Sequence, residues 1–66
     1  MKIILNGNEI QINLGTNLNQ LIENEGLAGK RLAAEVNCEI IRKSEHIHLI
    51  LNDGDKVEIV HAIGGG

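Results

Sequence analysis

Apolar and polar residues alternate near both ends of this chain, and only one segment between them repeats every three or four residues. Lys2 to Leu5 and Glu9 to Leu14 are β-type runs separated by Asn6-Gly7-Asn8. Asn-Gly is a strong hairpin signal because both residues tolerate the positive φ of a two-residue turn. Ile10, Ile12 and Leu14 alternate with Gln11 and Asn13, so one face of the second strand is expected in the core, with Ile3 and Leu5. After Gly15-Thr16-Asn17 the period lengthens: Leu18, Leu21 and Ile22 fall at i, i+3 and i+4, one stripe of a helix. Asn17 fits an N-cap with Gln20 as its capping-box partner, and Thr16 is the competing choice. Gly26 marks the C-terminal stop, with Leu27 folding back onto the stripe.

Period two then returns. Leu32, Ala34 and Val36 alternate with Ala33 and Glu35 as a third strand, Asn37-Cys38 reads as a turn, and Ile40-Ile41 as a very short fourth strand. Arg42 to His48 is polar and irregular, and Leu49, Ile50 and Leu51 are expected to return to the core. Asn52-Asp53-Gly54-Asp55 is a tight turn, because Asp-Gly supplies positive φ at little cost. On the last strand Val57 and Ile59 point inward while Glu58 and Val60 point outward. A hairpin, one crossing helix and shorter late strands give an α+β fold. Placing the last strand beside the first and parallel to it makes it central, which accounts for its apolar run. This is the β-grasp arrangement: a mixed four- to five-stranded sheet with one helix packed across it.

Composition narrows the function. Sixty-six residues make one domain near the lower size limit for a fold without staples, and 42% apolar content is ordinary for a globular chain. No aromatic residue is present to stack a base, and the net charge of −3 lacks the basic footprint of phosphate binding, so nucleic acid is not an expected partner. The single cysteine, Cys38, has no internal disulfide partner, and Asn6-Gly7-Asn8 breaks the opening Met-Lys-Ile-Ile-Leu run well before signal-peptide length. No apolar run reaches membrane-spanning length, so the expected compartment is the cytoplasm.

The candidate chemistry lies at the end. Residues 1–63 read as the folded domain and Gly64-Gly65-Gly66 as a flexible tail. Glycine has no Cβ and can thread a narrow channel. From Ala62 to Gly66 an extended chain reaches roughly 16 Å. The group delivered is then the Gly66 α-carboxylate, ionised at neutral pH and a poor electrophile until activated, most simply as an acyl-adenylate made with ATP. The glycines point to a carried carboxyl group and leave open what is carried; an indifferent tail is the bland alternative.

Other residues invite chemistry less. Cys38 as a sulfur relay needs a thiolate activated by nearby positive charge, whereas its neighbours are Asn37 and Glu39, so it reads as a turn residue. An extended backbone would put His46 and His48 on one face at a zinc-compatible spacing, but no second cysteine is near and His61 sits on another element. Solvated surface is the expectation there, with no metal. Gly7, Gly15, Gly26, Gly29 and Gly54 are scattered turn glycines that form no phosphate-binding run into a helix. The outward residues Glu58, Val60 and Ala62, with Ala33 on the neighbouring strand, form a partly apolar strip beside the tail where a partner would dock.

Taken together, the Asn6-Gly7 hairpin, the Asn17-Leu18 and Leu21-Ile22 helix start, Val36-Asn37 with Glu39-Ile40-Ile41, the Asp53-Gly54-Asp55 turn, and Val57-Glu58-Ile59-Val60 leading to Gly65-Gly66 resemble the ubiquitin-like sulfur carriers, most closely the ThiS type of thiamin biosynthesis. The resemblance covers essentially the whole chain. It implies a non-enzymatic carrier, a monomer when free, with no cofactor bound. A ThiF-type enzyme using ATP and magnesium would adenylate Gly66, which would then become a thiocarboxylate with sulfur drawn ultimately from a cysteine desulfurase. A ThiG-type thiazole synthase would take the sulfur, and Gly64 and Gly65 would be the threaded arm. Such chains often have glycine where Cys38 stands and proline where Ile41 precedes Arg42. The small subunit of molybdopterin synthase and a ubiquitin-like protein modifier share the ending, and a TGS-type RNA-associated module shares the fold.

Overall fold

The computed structural model describes residues 1–61; the proposed boundary at residue 63, the glycine tail and Ala62 lie outside the described residues. Strands β1 (Lys2–Leu5), β2 (Asn8–Gln11), β3 (Leu32–Val36), β4 (Glu39–Ile41) and β5 (Lys56–His61) form one sheet in the order β2-β1-β5-β3-β4. Among the described residues one α-helix, α1 (Leu18–Asn24), follows β2, and a 3-10 turn spans Lys43–Glu45. β5 lies between β1, to which it is parallel, and β3, to which it is antiparallel, as expected from its apolar run. Its inward residues Val57 and Ile59 are buried, and Val60 opposite them is 69% exposed.

Local chemistry sets the ends of α1. Asn17 Oδ1 accepts from the Gln20 backbone N–H at 2.7 Å and Gln20 Oε1 accepts from the Asn17 N–H at 2.9 Å, a complete capping box. Thr16 is not the cap: its hydroxyl donates to the Asn13 carbonyl at 2.7 Å. At the other end Gly26, at φ 75°, donates to Glu23 O and Leu27 donates to Ile22 O, both at 3.0 Å, the paired bonds of a Schellman stop. Leu18, Leu21 and Ile22 are thereby buried against Ile3, Leu5, Ala34, Val36, Val57 and Ile59 in one core, with Leu51 closing it.

Asparagine and aspartate side chains fasten the sheet. Asn6, at φ 48° in the β1–β2 turn, uses its side-chain amide as a short length of strand: Oδ1 accepts from Ile59 N–H at 2.8 Å and Nδ2 donates to Ile59 O at 3.3 Å. The β1–β5 ladder is thus prolonged past Leu5. Asn37 does similar work at the other end of β5, accepting from Lys56 N–H at 3.0 Å and donating to Asp55 Oδ1 at 3.0 Å. In the turn at Gly54 (φ 86°), Asp53 accepts from Lys2 N–H at 2.8 Å and Asp55 from Asn52 N–H at 2.8 Å.

Three expectations are corrected. Leu14 is 88% exposed, because β2 ends at Gln11 and the alternation that runs on past it no longer describes a strand. Ile50 is 53% exposed between half-buried Leu49 and buried Leu51, since three consecutive residues of near-extended chain cannot all face one core. His46 is not solvated: it is buried to 5%, while His48 is exposed. The 3-10 turn before it replaces the extended backbone that would have put the two imidazoles on one face.

Candidate functional site

Among the described residues, the face of the sheet turned away from α1 carries no helix. Its central residues are Glu58 and Val60 of β5 and Ala33 and Glu35 of β3, in the cross-strand pairs Ala33–Val60 and Glu35–Glu58. The structure therefore brings together three of the four residues expected to dock a partner, Ala33, Glu58 and Val60, all exposed; Ala62 lies outside the described residues. Two more members were not foreseen. β4 pairs with β3 so that Ile40 stands beside Glu35, and Ile40 is 73% exposed. The two-residue turn Asn37-Cys38 fixes that register, Val36 opposite Glu39, so the signal was available in the sequence.

This surface has a distinct chemistry. Val60, Ala33 and Ile40 supply apolar contact, and Glu35 sits directly opposite Glu58. Like charges facing each other across a ladder repel, and a cation placed between them relieves that repulsion. The face suits a partner with an apolar patch and a basic side chain.

β5 leaves the sheet beside the start of β3, where His61 pairs with Leu32. Gly64, Gly65 and Gly66 follow, outside the described residues. Cys38 is exposed and lies at the opposite end, where Asn37 N–H donates to Lys56 O at 2.7 Å. Six strand residues separate the two ends, roughly 16 Å at about 3.3 Å per step. Among the described residues no group of three or more His, Cys, Asp or Glu side chains is arranged to hold a metal ion. His46 Nε2 is 3.0 Å from Ile41 O, which only accepts, so this nitrogen carries the proton. Among the described residues no helix is long and apolar enough to cross a membrane.

A mixed sheet in the order β2-β1-β5-β3-β4, with one helix across it and a parallel pair at its centre, defines a β-grasp protein of the ubiquitin-like class. The solved thiamine biosynthesis protein (ThiS) of Geobacter metallireducens superposes on it with a TM-score of 0.84 and 25% identity, covering 100% of both chains. The ThiS family model matches residues 3–66. Sulfur carrier protein ThiS of Bacillus subtilis is 36% identical over 63 residues, 94% of this chain and 96% of that one. Thiazole synthases of Paramagnetospirillum magneticum and Magnetococcus marinus are 39% and 36% identical over all 66 residues. The chain spans 20% of the length of each of these two synthases. The chain belongs to the ThiS family.

Proposed function

We propose that this chain is a sulfur carrier for thiazole formation in thiamin biosynthesis, bearing sulfur as a thiocarboxylate on Gly66. Family membership over residues 3–66, which includes the glycines, is the observation that carries the reading. A ThiF-type enzyme would use ATP and magnesium to adenylate the Gly66 carboxylate, and sulfur traced to a desulfurase would displace AMP. The carboxylate oxygen retained on AMP leaves with it, and sulfur takes its place. A ThiG-type thiazole synthase would then accept the sulfur. The likeness to a region of two thiazole synthases supports that choice of acceptor.

In this scheme the chain supplies no catalytic group, and its working compartment is the cytoplasm. The outer sheet face, with Glu58, Val60 and Ala33, together with Ala62 beyond the described residues, would orient the partner so that Gly64 and Gly65 thread the carboxyl group into its active site. The sequence leaves molybdopterin synthase and protein modification as rival destinations, and acceptor specificity separates them. Thiocarboxylated carrier is mixed in parallel with a ThiG-type thiazole synthase and its co-substrates, with a molybdopterin synthase large subunit, and with a lysine-bearing protein. Loss of sulfur to the thiazole synthase alone is the expected result. Transfer to the molybdopterin enzyme alone, or an isopeptide with lysine, overturns the assignment.

A further inference from the structure

On the helix side of the molecule a cavity of about 300 Å³ opens between the C-terminal turn of α1, the segment 28–31 and residues 43–47. Its apolar part comes from Ile22, Leu27 and Leu32. Lys30, Arg31 and Lys43 line it as well, three of the six basic residues of a chain whose net charge is −3. Glu23 is the one carboxylate among the lining residues. The positive charge of an acidic protein is thus concentrated at one concavity.

Two further observations give this cavity a purpose beyond solubility. His46, 5% exposed, also lines it, with its Nε2 held 3.0 Å from Ile41 O. Ile47, 58% exposed, borders the same opening, so apolar surface is left uncovered beside the cations. The position is equally specific. Leu32 pairs with His61, so the cavity lies at the end of the sheet from which β5 leads to residue 62.

We propose that this cavity receives an acidic segment, with at least one apolar side chain, from the enzyme that activates the carboxyl terminus. The inference rests on the carrier reading and adds a second, basic grip to the one on the outer sheet face. Carboxylates on the partner would meet Lys30, Arg31 and Lys43, while its apolar side chain covers Ile47 and the Leu27–Leu32 floor. Charged rims of this kind act on encounter rate and orientation, while apolar contact supplies the dwell time. Gripping the carrier on both sides of the β5 exit would fix the direction in which the tail leaves.

The test uses the full chain and a purified ThiF-type adenylating enzyme, with affinity read by calorimetry and rate by pyrophosphate release. Lys30→Glu, Arg31→Glu and Lys43→Glu should each weaken binding about fivefold at low ionic strength, the triple variant more, and the losses should shrink in roughly 0.5 M salt. Lys2→Glu, at the far end of the sheet, serves as the charge control and should change binding little. A triple Gln variant covers the case in which reversal disturbs folding, and should show a smaller loss. Unchanged affinity in a folded triple variant overturns the proposal. So does a titration of the free carrier with ATP or inorganic phosphate in which the Lys30, Arg31 and Lys43 amide resonances saturate, since the cavity is then a small-anion site. An enzyme that neither binds nor adenylates the wild type sinks the carrier reading itself, a different failure from selective indifference to the cavity.

Discussion

Cys38 stands in a backbone conformation that suits another residue. Its φ is 71°, next to Asn37 at 51°, so both turn positions between β3 and β4 are left-handed. Asparagine tolerates this region; a cysteine pays about 1–2 kcal/mol for it through the clash of Cβ with the following carbonyl. The side chain is exposed and offers no compensating burial. Cys38→Gly removes the clash but frees the unfolded chain, which returns about 0.4–1 kcal/mol. The net gain is about 0.5–1 kcal/mol, worth roughly 3–6 °C in Tm for a domain of this size. Cys38→Ala keeps the Cβ and should leave Tm within about 1–2 °C of the parent. Thermal unfolding by circular dichroism under reducing conditions reads both. A Cys38→Gly protein no more stable than Cys38→Ala refutes the strain argument. Cys38→Ser should also load sulfur at the parental rate, because the thiol lies at the wrong end of β5 for a relay.

Two substitutions test how the sheet and helix are held together. Leu21 is 1% exposed in the core, and Leu21→Ala should cost about 2–4 kcal/mol, read as a fall in urea midpoint; an unchanged midpoint means the helix stripe packs elsewhere. Asn6→Ala leaves the buried Ile59 N–H without its acceptor and puts alanine at positive φ, for a loss of about 2–4 kcal/mol; Asn6→Gly should recover about 1 of those, and equal losses show that φ contributes nothing.

Much of this fold is written locally. Asn17 with Gln20 announces the helix start through side chains that bond each other's backbone, and Gly26, Asn6-Gly7 and Gly54 announce a helix end and two turns through their positive φ. The inward set of β3 and β5 follows from simple alternation, and the parallel β1–β5 pairing from the apolar run of a central strand. What stayed illegible depends on partners distant in sequence. The Asn6 side chain looks like turn chemistry alone until Ile59, 53 residues away, is placed beside it. His46 is buried because the chain folds a 3-10 turn over the helix side, which no periodicity in Arg42 to His48 announces. Leu14 misled because alternation does not say where a strand stops.

The surface proposed to dock a partner depends on more local signals. Glu58, Val60, Ala33 and Glu35 are read from alternation on two strands, and Ile40 joins them through the hairpin register set by the Asn37-Cys38 turn. The cavity with Lys30, Arg31 and Lys43 gathers residues from two loops, and a net charge of −3 gives no hint that half the basic residues share one concavity. The proposed carrier site sits in one stretch of three contiguous glycines, whereas the surfaces proposed to present it are assembled from separate elements.

The central claim is that sulfur is carried on the carboxyl group of Gly66, and intact-protein mass tests it most directly. The chain ending at Gly66 is incubated with the activating enzyme, ATP, magnesium and a sulfur donor, beside a variant extended by one alanine. Exchange of one carboxyl oxygen for sulfur adds about 16 Da at a carboxylate that must be activated because it is otherwise ionised. The account predicts this gain in the parent alone, only with ATP, and confined on fragmentation to the C-terminal peptide. An extended variant that gains the same mass at the same rate, or a gain that maps to Cys38, contradicts it.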